Sequence, residues 1–96
     1  MATQIGRVTH YFGRLGVAVL ALEDTLRVGD CIRILGHTTE FAQVVCSMEI
    51  NHRQIQEAGR GAEVALKVVE PARVGDLVYR LVGEEAEEAR AQLAPC

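Results

Sequence analysis

The residues able to do chemistry are few: His10, His37 and His52, Cys31, Cys46 and Cys96, and an aromatic–arginine cluster near the N-terminus. Imidazole and thiolate are good zinc ligands, but a site needs three or four ligands in tetrahedral array with supporting partners. No two histidines stand at a His-x-x-x-His spacing, and no cysteines form Cys-x-x-Cys. His10 and His52 meet only if their strands are neighbours. Surface histidines are the plainer reading, and neither metal nor cofactor is expected. An odd cysteine count without paired spacing argues against a disulfide framework and for a reducing cytoplasm.

Nucleophilic catalysis would fall first to Cys46. It lies on the apolar side of an alternating stretch, where a thiol packs as a small hydrophobe and stays inert. Cys31 is in phase with Arg33 and out of phase with Ile32 and Ile34, which places it toward solvent. Neither has a base partner in the sequence. No catalytic residue is expected, and the chain does not read as an enzyme.

Binding is better supplied. His10-Tyr11-Phe12-Gly13-Arg14 sets two rings and a cation around a glycine, and such groups stack on bases or anchor protein interfaces. The alternative is a strand end whose Tyr11 and Phe12 seal one end of the fold. Gly36-His37-Thr38-Thr39 reads as a loop rich in donors and acceptors, while His52, Arg53 and Arg60 make a modest basic surface with acids nearby. The candidate partner-binding residues are therefore His10, Tyr11, Phe12, Arg14, His37, Thr38, His52 and Arg53.

Short apolar stretches between Gly and charged turns must position these groups. Their spacing of roughly ten residues marks an all-β fold. Residues 40–50 put Ala42, Val44, Cys46, Met48 and Ile50 on one face and Gln43, Ser47 and Glu49 on the other, a half-buried strand. Ala62, Val64, Leu66 and Val68 alternate likewise with Glu63 and Lys67. Residues 17–21 hold no polar side chain, so this strand is either covered on both faces or exposes an apolar patch. Arg27-Val28-Gly29-Asp30 and Arg73-Val74-Gly75-Asp76 each lead into a strand. Gly admits positive φ and Asp bonds nearby backbone N–H groups, so the repeat predicts two comparable corners.

Bulk numbers set the frame. The chain has 96 residues, 49% of them hydrophobic, with two Tyr, two Phe and no Trp, so Val, Leu, Ile and Ala must build one small core. No apolar run reaches the length of a bilayer span, and no secretory leader is expected. The formal charge is −3. Four Glu and one Arg from residue 84 onward account for all of it, leaving nine acids and nine bases in residues 1–83. A neutral body lacks the strongly basic footprint of most nucleic-acid binders. The Ala- and Glu-rich end suits a short helix with acids near its N-terminus.

The order of elements resembles the translation-protein β-barrel, the second domain of elongation factor Tu. The likeness rests on Gly6-Arg7-Val8-Thr9, on Leu26-Arg27-Val28-Gly29-Asp30, and on Val45-Cys46-Ser47-Met48-Glu49-Ile50 with Ile55-Gln56-Glu57-Ala58. It continues in Gly59-Arg60-Gly61-Ala62-Glu63-Val64-Ala65-Leu66 and Arg73-Val74-Gly75-Asp76-Leu77-Val78. His10-Tyr11-Phe12 and 36–41 are more similar to small stand-alone elongation factor-like proteins. Similar barrels also end collagenase-type peptidase-like proteins.

The resemblance implies a closed barrel of about six strands over 1–83, followed by a short acidic helix or tail over 84–96. It also implies a non-catalytic module binding RNA or a ribonucleoprotein in the cytoplasm. The alternative is a protein-interaction or assembly domain working with a separate enzyme, or with itself through Val17–Leu22. No Gly-x-x-x-x-Gly-Lys-[Ser/Thr] occurs, so neither nucleotide nor GTP hydrolysis is expected. No membrane partner is expected either.

Overall fold

A computed structural model describes residues 2–93. The strands are β1 (Ala2–Phe12), β2 (Val17–Leu22), β3 (Leu26–Arg27), β4 (Cys31–Leu35) and β5 (Glu40–Val44). They continue with β6 (Met48–Ile50), β7 (Arg53–Ile55), β8 (Glu57–Ala58), β9 (Glu63–Lys67) and β10 (Leu77–Leu81), and helix α1 (Gly83–Gln92) follows. Eight strands form one antiparallel sheet in the order β5-β4-β10-β1-β2-β9-β6-β7, and β3 and β8 form a separate ribbon. Among the described residues no helix is long and apolar enough to cross a membrane.

This corrects the expectation of a closed six-stranded barrel. The sheet has eight strands and is not closed, its edge strands being β5 and β7. A side chain, and not a backbone ladder, ties β5 to the end of β9. The Gln43 carboxamide donates through Nε2 to the Lys67 carbonyl at 2.8 Å, and its Oε1 accepts from the Val69 N–H at 2.9 Å. One amide therefore satisfies two backbone groups that would otherwise need a neighbouring strand.

The same residue explains a second correction. Phe41, Gln43 and Val45 face the core, while Ala42 and Val44 are only half-buried, the reverse of the phase read from the sequence. The strand ends at Val44, and Met48 re-enters the core after an irregular step. A polar side chain tolerates an inward position when both ends of its amide are bonded. The cysteines exchange roles for the same reason of phase. Cys31 is buried and is a free thiol, while Cys46 is exposed.

The core is aliphatic, as the composition requires. Ile5, Leu20, Leu26, Ile32, Ile34, Met48 and Leu66 are its largest fully buried side chains. Val64 and Leu66 point inward from β9, with Glu63 and Lys67 outward, as the alternation indicates. Strand β1 bends around this core through register shifts between Gln4 and Gly6 and between Val8 and His10.

The two Arg-Val-Gly-Asp corners are built alike. Gly29 and Gly75 take φ of 100° and 96°. The Asp30 and Asp76 amides each donate to the first carbonyl of their turn at 3.0 Å, and the Arg27 and Arg73 amides donate back to the Asp carboxylates at 2.9 and 2.8 Å. Gly29 and Asp30 clasp Val45 through a pair of 2.8 Å backbone bonds, and Gly75 and Asp76 clasp Val8 in the same way. The strands that follow pair with each other, Cys31 opposite Leu81 and Leu77 opposite Leu35. Arg33 and Tyr79, separated by the same interval as Arg27 and Arg73, are partners at the centre. The corners and their strands are thus related by an internal pseudo-twofold axis.

Candidate functional site

The structure divides the sequence-nominated residues between two regions. Phe12 and His52 line a trough on the outer face of β2 and β9, whereas Tyr11 and Thr38 line a cleft beside β5. His10 is exposed and stacks on Phe12, with ring centroids 6.3 Å apart and planes inclined by 16°. Arg14, His37 and Arg53 are exposed: Arg14 sits in the β1–β2 turn, His37 in the β4–β5 turn, and Arg53 opens β7. His10 lies on β1 and His52 in the β6–β7 turn, and β2 and β9 separate β1 from β6. Among the described residues no three His, Cys, Asp or Glu side chains are grouped to hold a metal ion.

The trough has a volume of about 860 Å³. Its floor follows from strand register: Val17 lies opposite Lys67, Val19 opposite Ala65, and Ala65 opposite Glu49. Small aliphatic side chains leave the floor low. The β1–β2 turn supplies one wall through Phe12 and Leu15, and the β6–β7 turn supplies the other through Ile50, Asn51 and His52. Phe12 is 49% exposed and Leu15 69%, unusual for side chains of that size beside one another. Polar groups are confined to Glu49, Asn51, His52, Glu63 and Lys67.

Strand β2 explains why this face is apolar. Ala18, Leu20 and Leu22 point into the core, while Val17, Val19 and Ala21 are half-buried on the other side. Of the two readings open for this stretch, the exposed apolar patch is the one realised. The sequence signal was the missing polar residue at alternate positions of residues 17–21. Leu15, Ile50 and Ala65 were not nominated, since each looks ordinary until the turns bring it to the trough.

The β6–β7 wall is held in a demanding conformation. Asn51 and His52 have φ of 50° and 64°, making a two-residue hairpin turn with both central residues left-handed. Asn suits such a position. His, like any residue with a Cβ, meets a steric cost in the left-handed region.

Elsewhere the electrostatics are structural. The Thr25 N–H and the Arg80 guanidinium, 2.7 and 3.2 Å away, hold the Asp24 carboxyl below its ordinary pKa. Burial pushes the Cys31 thiol up, away from the thiolate a nucleophile needs.

Comparison with known proteins gives this geometry a context. The fold matches that of the C-terminal domain of a Geobacillus thermoleovorans protein named as a U32 peptidase. The TM-score is 0.78 at 21% identity, over 82% of this chain and 92% of that one. The selenomethionine variant of the same domain gives 0.76 at 22%, over 79% of this chain and 96% of that one. The chain has the fold of a U32 peptidase C-terminal domain.

Relatives in sequence are named as a protease and a collagenase. The chain is 40% identical over 79 residues to an uncharacterized protease of Methanocaldococcus jannaschii, covering 81% of this chain and 19% of that protein. It is 35% identical over 80 residues to a collagenase of Porphyromonas gingivalis, covering 81% and 22%. The chain spans about a fifth of the length of these curated relatives. No family model matches it.

These findings overturn the translation-factor resemblance and the RNA-binding function drawn from it, because the relatives are named as peptidases. The motifs behind that resemblance were turns and strand starts, which report backbone geometry and not a ligand.

Proposed function

We propose that this chain is a non-catalytic protein-binding domain that docks on a peptidase core through the trough formed by Phe12, Leu15, Val17, Val19, Ile50 and Ala65. The observation that carries this reading is the trough itself, an apolar sheet face left uncovered between two turns. Contiguous exposed apolar surface on a small protein marks a place where another surface sits. The relatives suggest the occupant: each is a named protease or collagenase in which this chain matches about a fifth, leaving a large body for such a face to cover. The raised pKa of buried Cys31 and the dispersed histidines support a binding role over a catalytic one.

The test uses the full chain and the Methanocaldococcus jannaschii protease produced without the region that this chain matches. Sedimentation velocity of the mixture is expected to show a stoichiometric complex. Val19→Asp, which puts a charge on the trough floor, is expected to abolish it. Incubated alone with denatured collagen, the chain is expected to release no peptides. Absence of the complex, or a complex indifferent to Val19→Asp, would overturn the reading.

A further inference from the structure

A second surface, separate from the trough, lies at the open edge of the sheet. Strand β5 pairs with β4 on one side and ends the sheet on the other. The Gly36 N–H donates to the Thr39 carbonyl at 2.8 Å, which sets the hydrogen-bonding phase of the hairpin. From that pair onward, directly opposed residues alternate between bonded and non-bonded. Ile34 and Phe41 are a bonded pair, so Leu35 with Glu40 and Arg33 with Ala42 are non-bonded. The main-chain N–H and C=O of Glu40 and Ala42 therefore point away from β4, toward the edge.

That edge opens into a cleft in two adjoining parts. One, of about 540 Å³, includes Tyr11, Glu40 and Pro71, and the other, of about 460 Å³, includes Arg33, Ala42 and Glu88 of α1. Phe41 and Glu70 line both parts. Arg33 is engaged with Glu40 at 3.6 Å. Glu70 and Glu88 form no ion pair among the described residues, and Arg73 is the other cation lining the cleft. Unpaired strand groups beside two unpaired carboxylates and two aromatic rings define an occupant by chemistry. It is extended, it offers backbone donors and acceptors, and it carries a positive side chain.

We propose that the free edge of β5 takes up an extended polypeptide segment as an added strand, with Glu70 and Glu88 holding a Lys or Arg of that segment. Main-chain bonds to Glu40 and Ala42 supply affinity, and the carboxylates supply selection. This inference goes beyond the docking reading and does not rest on it, since the two surfaces share no residue.

The experiment is fluorescence polarisation of a labelled nonapeptide of repeated Thr-Lys-Val with the full chain, alongside amide chemical-shift mapping. Saturable binding is expected, with the largest shifts at Glu40 and Ala42. Glu70→Lys with Glu88→Lys is expected to weaken it about tenfold or more. Ala42→Pro removes an N–H that the β4 ladder does not use, so it is expected to abolish binding while the fold persists. Val19→Asp is expected to leave peptide binding unchanged while breaking the trough, which keeps the two proposals separable. Equal binding of a Thr-Glu-Val peptide, shifts centred on Val17 and Ala65, or no binding up to about 1 mM would overturn it.

Discussion

The two outer faces of this sheet are treated in opposite ways. Over β4 and β5 the outward residues include Arg33 and Glu40, and helix α1 lies across this side, although none of the helix residues is buried. Over β2 and β9 the outward residues are Val17, Val19 and Ala65, and nothing among the described residues covers them. Simple hydrophobic economy would put the helix on the apolar face. The arrangement makes sense if the apolar face is kept for a cover that comes from outside the domain. The polar face can then take a helix whose hold is local, such as the Arg90 guanidinium donating to the Gly29 carbonyl.

The comparison sharpens most within a single strand. Leu20 and Val19 are neighbours in β2, one fully buried and one facing the trough. Leu20→Ala is expected to lower stability by about 3 kcal/mol through lost contacts and a residual cavity. Val19→Asp is expected to cost about 1 kcal/mol or less, because an outward position tolerates polarity. Urea midpoints of the two variants check this. Comparable losses would mean that the trough floor is part of the core.

The open edge gives the next effect in size. Gln43→Leu leaves the Lys67 carbonyl and the Val69 N–H without their partners, at about 2 kcal/mol. Denaturation of the purified variant measures it. A neutral result would mean that water or a shifted strand serves these two groups as well as the carboxamide does.

A smaller and opposite change is expected at the trough wall. His52→Gly relieves a left-handed conformation and should raise stability by about 1 kcal/mol. If the imidazole contributes to docking, the same variant binds the peptidase core more weakly. A stabilised protein with weakened binding would place His52 among the functional residues.

The smallest effect concerns Asp24, far from both faces. Its folded pKa lies below the unfolded value, first through the Thr25 N–H and then through Arg80. The stabilisation is therefore present above the unfolded pKa and is lost as pH falls through the folded one. Asp24→Asn should show a shallower decline in stability under acid than the parent, read from urea midpoints at neutral and acidic pH.

Much of the fold was legible where local chemistry decides it. The corners at Arg27–Asp30 and Arg73–Asp76 were readable because glycine and aspartate each have one physical task there, and both perform it. The inward phase of β9 and the acidic helix were readable for similar reasons. The phase of β5 was not. Ala42 and Val44 offered an apolar face, and nothing local announced that Gln43 would find two backbone partners across the sheet. The open sheet was hidden for the same reason, since the bridge is a side chain from one strand meeting the end of another distant in sequence. Of the site, the sequence supplied Phe12, His52 and the apolar character of β2. The turns that bring Leu15 and Ile50 beside them depend on tertiary placement.

The most direct test of the central claim is hydrogen–deuterium exchange of the chain with and without the body of the Methanocaldococcus jannaschii protease lacking its matching region. The account predicts slowed exchange in β2, β9 and the β1–β2 and β6–β7 turns, with α1 and β4 unchanged. Protection confined to α1 and β4, with the trough exchanging freely, would contradict it.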